Sequence, residues 1–257
     1  MQNFTQINSV PARARTGLRS ATVALLLPIL LLIGGCDPSD SDESSGNIGI
    51  VTRIIGTAEI ATADGREALA EGRGLMEGDV IYTGADSIVL LDFKAGRVEA
   101  ELQPESEFQV KSIAADEDRF ALPTGQLWMR VNSRDNATGQ VVLESPTAVA
   151  AVRGTKFYTF HMRDHHGRDV YGTCHCEGDV HYSTVETDYE SHHEQDHMVM
   201  TIDGKTFLMT PEELSFLGDT AHAHSMLENS PLGPNTIALE EEQMQALADL
   251  IDRKMAE

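Results

Sequence analysis

The stretch Ile48-Gly-Ile-Val-Thr-Arg-Ile-Ile-Gly-Thr-Ala-Glu-Ile60 decides the fold class. β-Branched residues dominate it, apolar and polar positions alternate in places, and glycines punctuate it. That texture reads as strand. It recurs at Val80–Thr83, Ser87–Phe93, Val98–Leu102, Phe108–Ile113, Gln126–Val131, Val141–Glu144, Lys156–His161 and Val170–Cys176. Gly, Asp, Pro and Ser separate the runs, and no long 3.6-residue period occurs before about residue 210. The expectation is a mainly β protein, a compact all-β domain in the form of a sandwich or coil of short antiparallel strands, rather than βαβ units.

The turns between the strands follow an ordered series of motifs. Gly74-Leu-Met-Glu-Gly-Asp-Val-Ile-Tyr-Thr-Gly-Ala-Asp-Ser87 leads into Leu90-Leu-Asp-Phe-Lys-Ala-Gly96. Leu102-Gln-Pro-Glu-Ser106, Leu122-Pro-Thr-Gly-Gln-Leu127 and Ser145-Pro-Thr-Ala-Val-Ala-Ala-Val-Arg-Gly-Thr-Lys-Phe157 follow. The series resembles the FecR domain from about Ile50 to Tyr182, with Val152-Arg-Gly-Thr155 as its most specific block and Ser145 where that pattern commonly has Thr. The resemblance implies a periplasmic β-domain. The proteins that gave the family its name are inner-membrane regulators that relay a signal from an outer-membrane receptor to a cytoplasmic sigma factor. Such proteins need a cytoplasmic sigma-binding segment and a spanning helix, and neither is expected here, so direct sigma-factor control is not.

Within the block, Arg153 sits between the apolar Val149–Val152 and Gly154. Two readings stay open. A buried guanidinium would tie turns together through carbonyls or a carboxylate. An outward one would contact a ligand or partner. No nucleophile with a base, no phosphate loop and no acid pair in fixed spacing is present, so the expectation is a protein without enzymatic activity.

The amino-terminal region reads as an address. A polar, positive stretch with Arg13, Arg15 and Arg19 precedes the apolar run Ala21–Ile33, and Gly34-Gly35-Cys36 closes it. The run is short and holds Pro28, which suits a secretory signal better than a spanning helix. Ile33-Gly34-Gly35-Cys36 resembles a bacterial lipobox, which implies lipidation of Cys36 and cleavage before it. Asp37 resembles an inner-membrane retention signal. The implied location is the bacterial cell envelope, lipid-anchored and facing the periplasm. Residues 36–47 are small, polar and acidic, a flexible tether.

Charge excludes several partners. The 257 residues carry 19 Lys+Arg against 41 Asp+Glu, a formal charge of −22. Such a surface repels nucleic-acid phosphates and anionic headgroups. The expected partners are the membrane, through the lipid alone, and another envelope protein.

All ten histidines lie between His161 and His224. Among them run Cys174-His-Cys176, His192-His193 and His222-Ala-His224. On a strand, Cys174 and Cys176 share a face, with His175 opposite. Their Cα atoms would stand about 6.5–7 Å apart, near the upper limit for an unstrained disulfide. Two thiolates can still close on one metal. One of His192 and His193, with one of His222 and His224, would complete a Cys₂His₂ set, suited to zinc, copper or iron. The alternatives are a strained redox disulfide, or two small buried side chains beside solvated histidines. A c-type haem would need Cys-x-x-Cys-His, which is absent, and no nucleotide is expected.

Thr210-Pro-Glu-Glu213 has the N-cap, first-turn proline and capping-box acid of a helix start. Ile237–Met255 carries apolar residues at helical spacing, for packing on the β-domain or for a partner. The expected organisation is a lipoprotein signal at 1–35, the tether at 36–47, a FecR-like β-domain at 48–185, a His-rich extension at 186–230 and an amphipathic helix at 231–257. The functional expectation is a lipid-anchored binding module, with a transition metal as candidate ligand. The alternative is a regulatory component of trans-envelope signalling.

Overall fold

The structure is a computed structural model that describes residues 46–132, 139–163, 166–192, 198–221 and 240–257. The chain divides into two units. Met1–Ser41 lies outside the described residues, so the lipobox with Cys36 does too. The second unit, Asp42–Glu257, is the β body.

Among the described residues, seventeen strands build it. They are β1 (Gly49–Ile55), β2 (Ala58–Thr62), β3 (Gly65–Ala68), β4 (Gly74–Leu75), β5 (Val80–Thr83), β6 (Ile88–Phe93), β7 (Val98–Leu102), β8 (Glu107–Ile113) and β9 (Glu117–Val131). After them come β10 (Gln140–Glu144), β11 (Val149–Val152), β12 (Lys156–Arg163), β13 (Asp169–Glu177), β14 (Asp179–Ser183), β15 (Asp188–His192), β16 (Met198–Ile202) and β17 (Lys205–Met209). They form two facing layers. The first has the order β4-β1-β6-β7-β9-β12-β13-β16-β17. The second runs β3-β2-β5-β8-β9-β10-β11-β14-β15. All pairs are antiparallel except β9–β10. The mainly β expectation holds, as a sandwich of hairpins laid alternately in one layer and the other.

Strand β9 belongs to both layers. Its first half pairs with β8 and β10, and its second half, from Gly125, pairs with β7 and β12. The sequence reading placed a strand only at Gln126–Val131, because Pro123 and Gly125 resemble a turn. Here they mark the place where one long strand changes partners. Gly125 has φ +99°, and a Cβ there would lie 2.3 Å from Ser106 Oγ. That approach excludes any larger residue.

Alternation along the strands fills the space between the layers. Phe93, from the first layer, meets Phe108 and Phe120 of the second with ring centroids 6.3 and 4.9 Å apart. Val98, Leu102, Leu127, Leu143, Phe157 and Val180 continue this core. Farther along, Tyr171 and Tyr182 stack at 5.7 Å. Their burial demands hydrogen-bond partners. Tyr182 Oη is 2.7 Å from Thr201 Oγ1, and Thr173 Oγ1 donates to Tyr171 Oη at 3.4 Å.

The layers continue past residue 185, because β15, β16 and β17 extend them to Met209. Beyond them the expected capping box forms. Thr210 N–H donates to Glu213 Oε2 at 2.9 Å and Glu213 N–H donates to Thr210 Oγ1 at 3.3 Å. It opens turns that continue as 3-10 helix over Ser215–Ala221, kinked at Gly218. The expected C-terminal helix is α1, Glu241–Ala256. Glu241 and Glu242 lie in its first turn and Arg253 and Lys254 in its last, matching the helix dipole. Its Leu250, with Leu247, Ile251 and Met255, packs with Leu214 and Leu217 on Phe160, Val170, Met200 and Ile202. Of the two roles read for this helix, core packing is the one seen.

Candidate functional site

The motif residues hold the turns to each other. Thr83 Oγ1 donates to Gln103 carbonyl at 2.6 Å and accepts from Ser106 N–H at 2.8 Å. Ser106 Oγ donates to Gln126 carbonyl at 3.1 Å and accepts from Gln126 N–H at 2.9 Å. Thr-Gly, Leu-x-Pro-x-Ser and Gly-x-Leu are thus one interlocked unit. Ser145 Oγ accepts from the N–H groups of Thr147 and Ala148, so serine fulfils the turn role at that position. Thr155 Oγ1 donates to Asp179 carbonyl at 3.0 Å, fixing the Arg-Gly-Thr turn beside the start of β14.

The buried reading of Arg153 is corrected, because its side chain is exposed. The buried cation that ties segments together is Arg97, which the sequence reading missed. Its Nη1 lies 3.0 Å from Asp118 Oδ2, and its Nη2 donates to Gly139 carbonyl at 2.7 Å. Lys94 Nζ binds the other Asp118 oxygen at 2.5 Å. The available signal was an arginine directly after the Lys94-Ala95-Gly96 turn and directly before the alternating run Val98-Glu-Ala-Glu-Leu102. Composition gave no reason to prefer it over Arg153.

Arg153 instead borders a groove of about 650 Å³ on the outer side of the second layer. Asp116, Gln140, Asp179, His181 and Glu190 share its lining. The pairing of β11, β14 and β15 sets Ala151, His181 and Glu190 in one row across the sheet. His181 Nε2 lies 2.6 Å from Asp188 Oδ1. The groove joins cationic and anionic groups on a rigid sheet, a surface able to bind a charged partner.

The second cluster is on β13 in the first layer. Cys174 and Cys176 are both thiols; Cys174 is buried and Cys176 half-buried. They share a face, as expected, and lie within hydrogen-bond reach of each other. That bond, then burial, then the charge of Cys176 push the Cys174 thiol well above the ordinary cysteine range. Tyr158 and Met198 stand directly across from Cys174 on the neighbouring strands. Burial, followed by the charge of Cys174, raises the Tyr158 phenol, which donates to Gln126 Oε1. The pairing with β12 steps from Phe157–His175 to Lys156–Glu177, so Cys176 is the extra residue of a β-bulge. His175 is buried on the opposite face.

The remaining metal candidates are only partly in view. His193, His222 and His224 lie outside the described residues. His192 ends β15 and is paired by its backbone with Asp179 in the second layer. Among the described residues, no group of three or more His, Cys, Asp or Glu residues is placed to hold a metal ion. Among the described residues, also, no helix is long and apolar enough to cross a membrane.

Comparison with known proteins identifies the domain. Two crystal structures, at 2.50 and 1.65 Å resolution, each described as a "putative anti-sigma factor" from Parabacteroides distasonis ATCC 8503, match with a TM-score of 0.44 and 12% identity. The match covers 54% of this chain and 64% and 65% of theirs, so the chain spans under two thirds of their length. No curated protein matches. Residues 79–174 match the family described as FecR protein. They include the interlocked turns, the Arg-Gly-Thr block and Cys174, and over these residues the chain carries a FecR domain.

Proposed function

We propose that the chain is a non-enzymatic binding module of the bacterial envelope, lipid-anchored through Cys36, whose FecR domain presents Arg153 to a protein partner in a regulatory, signal-relaying role. One observation carries this reading. The most distinctive turn of the domain is held by Thr155, and its arginine is exposed and borders an open groove lined by charged groups. The buried cation of the structural tie is Arg97. A photo-crosslinking residue at Ala151, in the groove floor, tests it in intact cells. One envelope protein should be captured, Arg153→Glu should abolish the capture, and the Tm should be kept. Capture insensitive to Arg153→Glu would refute the partner role. A sigma-factor and receptor gene pair beside this one would favour signalling, and an Arg153→Glu strain should then reproduce the transcriptional change of a deletion.

A second reading, a transition-metal site, is favoured by the two thiols sharing one face of β13. Met198 stands across from Cys174 on the neighbouring strand. Two thiolates are soft ligands that suit zinc, copper or iron. His193, His222 and His224, with His192, are the candidates to complete the set. Elemental analysis of anaerobically purified protein should find one equivalent of metal, lost in the double Cys174→Ser, Cys176→Ser variant. Absence of stoichiometric metal would end this reading and leave the partner reading intact.

A further inference from the structure

We propose that Cys174 and Cys176 are an exchange-active dithiol, oxidised to an intrastrand disulfide by small disulfide compounds. The inference needs neither a metal nor the partner groove. Three observations carry it. The thiols stand two residues apart on β13, within hydrogen-bond reach of each other. They differ in access, Cys174 being 2% exposed and Cys176 half-buried. Cys176 occupies a bulge, where the strand bends and can re-aim a side chain.

The difference in access assigns the order of events. The Cys176 thiolate attacks one sulfur of a small disulfide, RSSR. The S–S bond of the reagent breaks, RS⁻ departs, and Cys176 carries a mixed disulfide. The Cys174 thiolate then attacks the Cys176 sulfur and expels the second RS⁻. The two protein thiols lose two electrons to the reagent, and their two protons end on two RSH. The i, i+2 spacing on a strand lies near the upper limit for a relaxed disulfide, which marks the product as readily reduced.

The test uses the full chain carrying Cys36→Ser, with a chelator present, equilibrated against glutathione and glutathione disulfide, acid-quenched and mapped by peptide mass. The peptide holding residues 174–176 should lose two hydrogens and regain them with excess glutathione. Cys174→Ser should trap glutathione on Cys176, and Cys176→Ser should leave Cys174 unmodified in the folded protein. The proposal is overturned if the wild-type pair stays reduced at the most oxidising ratio, or if glutathione persists on Cys176 beside an intact Cys174 thiol. The wild-type peptide decides the matter even where a serine variant fails to fold.

Discussion

At the scale of single residues, two arginines divide the work that one was expected to do. Arg97 is 8% exposed and Asp118 is fully buried, so the guanidinium depends on Asp118 and the Gly139 carbonyl, and the carboxylate on Arg97 and Lys94. Removing Arg97 leaves Asp118 to Lys94 alone and takes the donor from the Gly139 carbonyl, in a medium that solvates both poorly. Arg97→Ala should cost about 3–5 kcal/mol, a fall in Tm on the order of 10 °C for a body of this size. Arg153→Ala should stay within about 0.5 kcal/mol of wild type, as exposed substitutions do. Thermal melts of the two variants side by side check both statements; equal losses would restore a structural role to Arg153. Gly125 is a second decisive position. Its φ of +99° and the 2.3 Å gap to Ser106 Oγ leave no room for a methyl group. Gly125→Ala should therefore destabilise by more than about 1 kcal/mol, through backbone strain and loss of the Ser106–Gln126 bonds. A urea midpoint unchanged from wild type would show that the strand crossing does not depend on this approach.

At the scale of elements, the Thr210 capping box also anchors the C-terminal helix. Glu213 accepts from Thr210 N–H, and Lys254 of α1 lies 2.6 Å from its Oε1. Burial raises the Glu213 pKa, but Lys254 and Thr210 outweigh it and hold the carboxyl below its usual value. A carboxylate with a lowered folded-state pKa stabilises the folded state above the unfolded value, near 4.3. That contribution fades as pH falls through the folded value. Stability against pH should therefore drop more steeply below about pH 4.5 in wild type than in Glu213→Gln. Parallel acid limbs for the two proteins would remove Glu213 from the account. These elements also show what the sequence could carry. Val80–Thr83 and Val98–Leu102 were legible to the residue, because β-branched alternation between glycine turns admits little else. The Thr210 box and α1 were legible because capping and amphipathic spacing are local rules. The first half of β9 was not, since Pro123 and Gly125 imitate a turn unless the second layer is already in place. The Cys174–Cys176 face followed from strand period alone. Its bulge did not, because a bulge depends on the register of β12. The exposure of Arg153 was equally hidden, since Ala150 and Val152 beside it are buried between the layers while its own side chain is turned outward.

At the scale of the whole molecule, hairpins deposited in alternate layers leave a body covered by carboxylates, at a chain charge of −22. That charge bears directly on how the protein meets a membrane. An anionic body is repelled by anionic headgroups, and the described residues offer no spanning helix. The proposed lipid on Cys36 would then be the attachment, with residues 37–47 as the link. Fully extended, those eleven residues reach at most roughly 40 Å, at about 3.3–3.6 Å each. Acyl chains contribute about 0.8 kcal/mol per buried CH₂, and stable anchoring takes more than one chain. A diacylated thiol meets that requirement without help from the protein surface. Cys36→Ser should therefore move the protein from the membrane pellet to the soluble fraction, independently of salt, because no electrostatic contact is being screened. Mass spectrometry of the wild-type mature terminus should find a chain beginning at Cys36 with added lipid mass. A Cys36→Ser protein that stays in the pellet and leaves it only in high salt would mean that a basic partner, not the lipid, holds the body at the membrane.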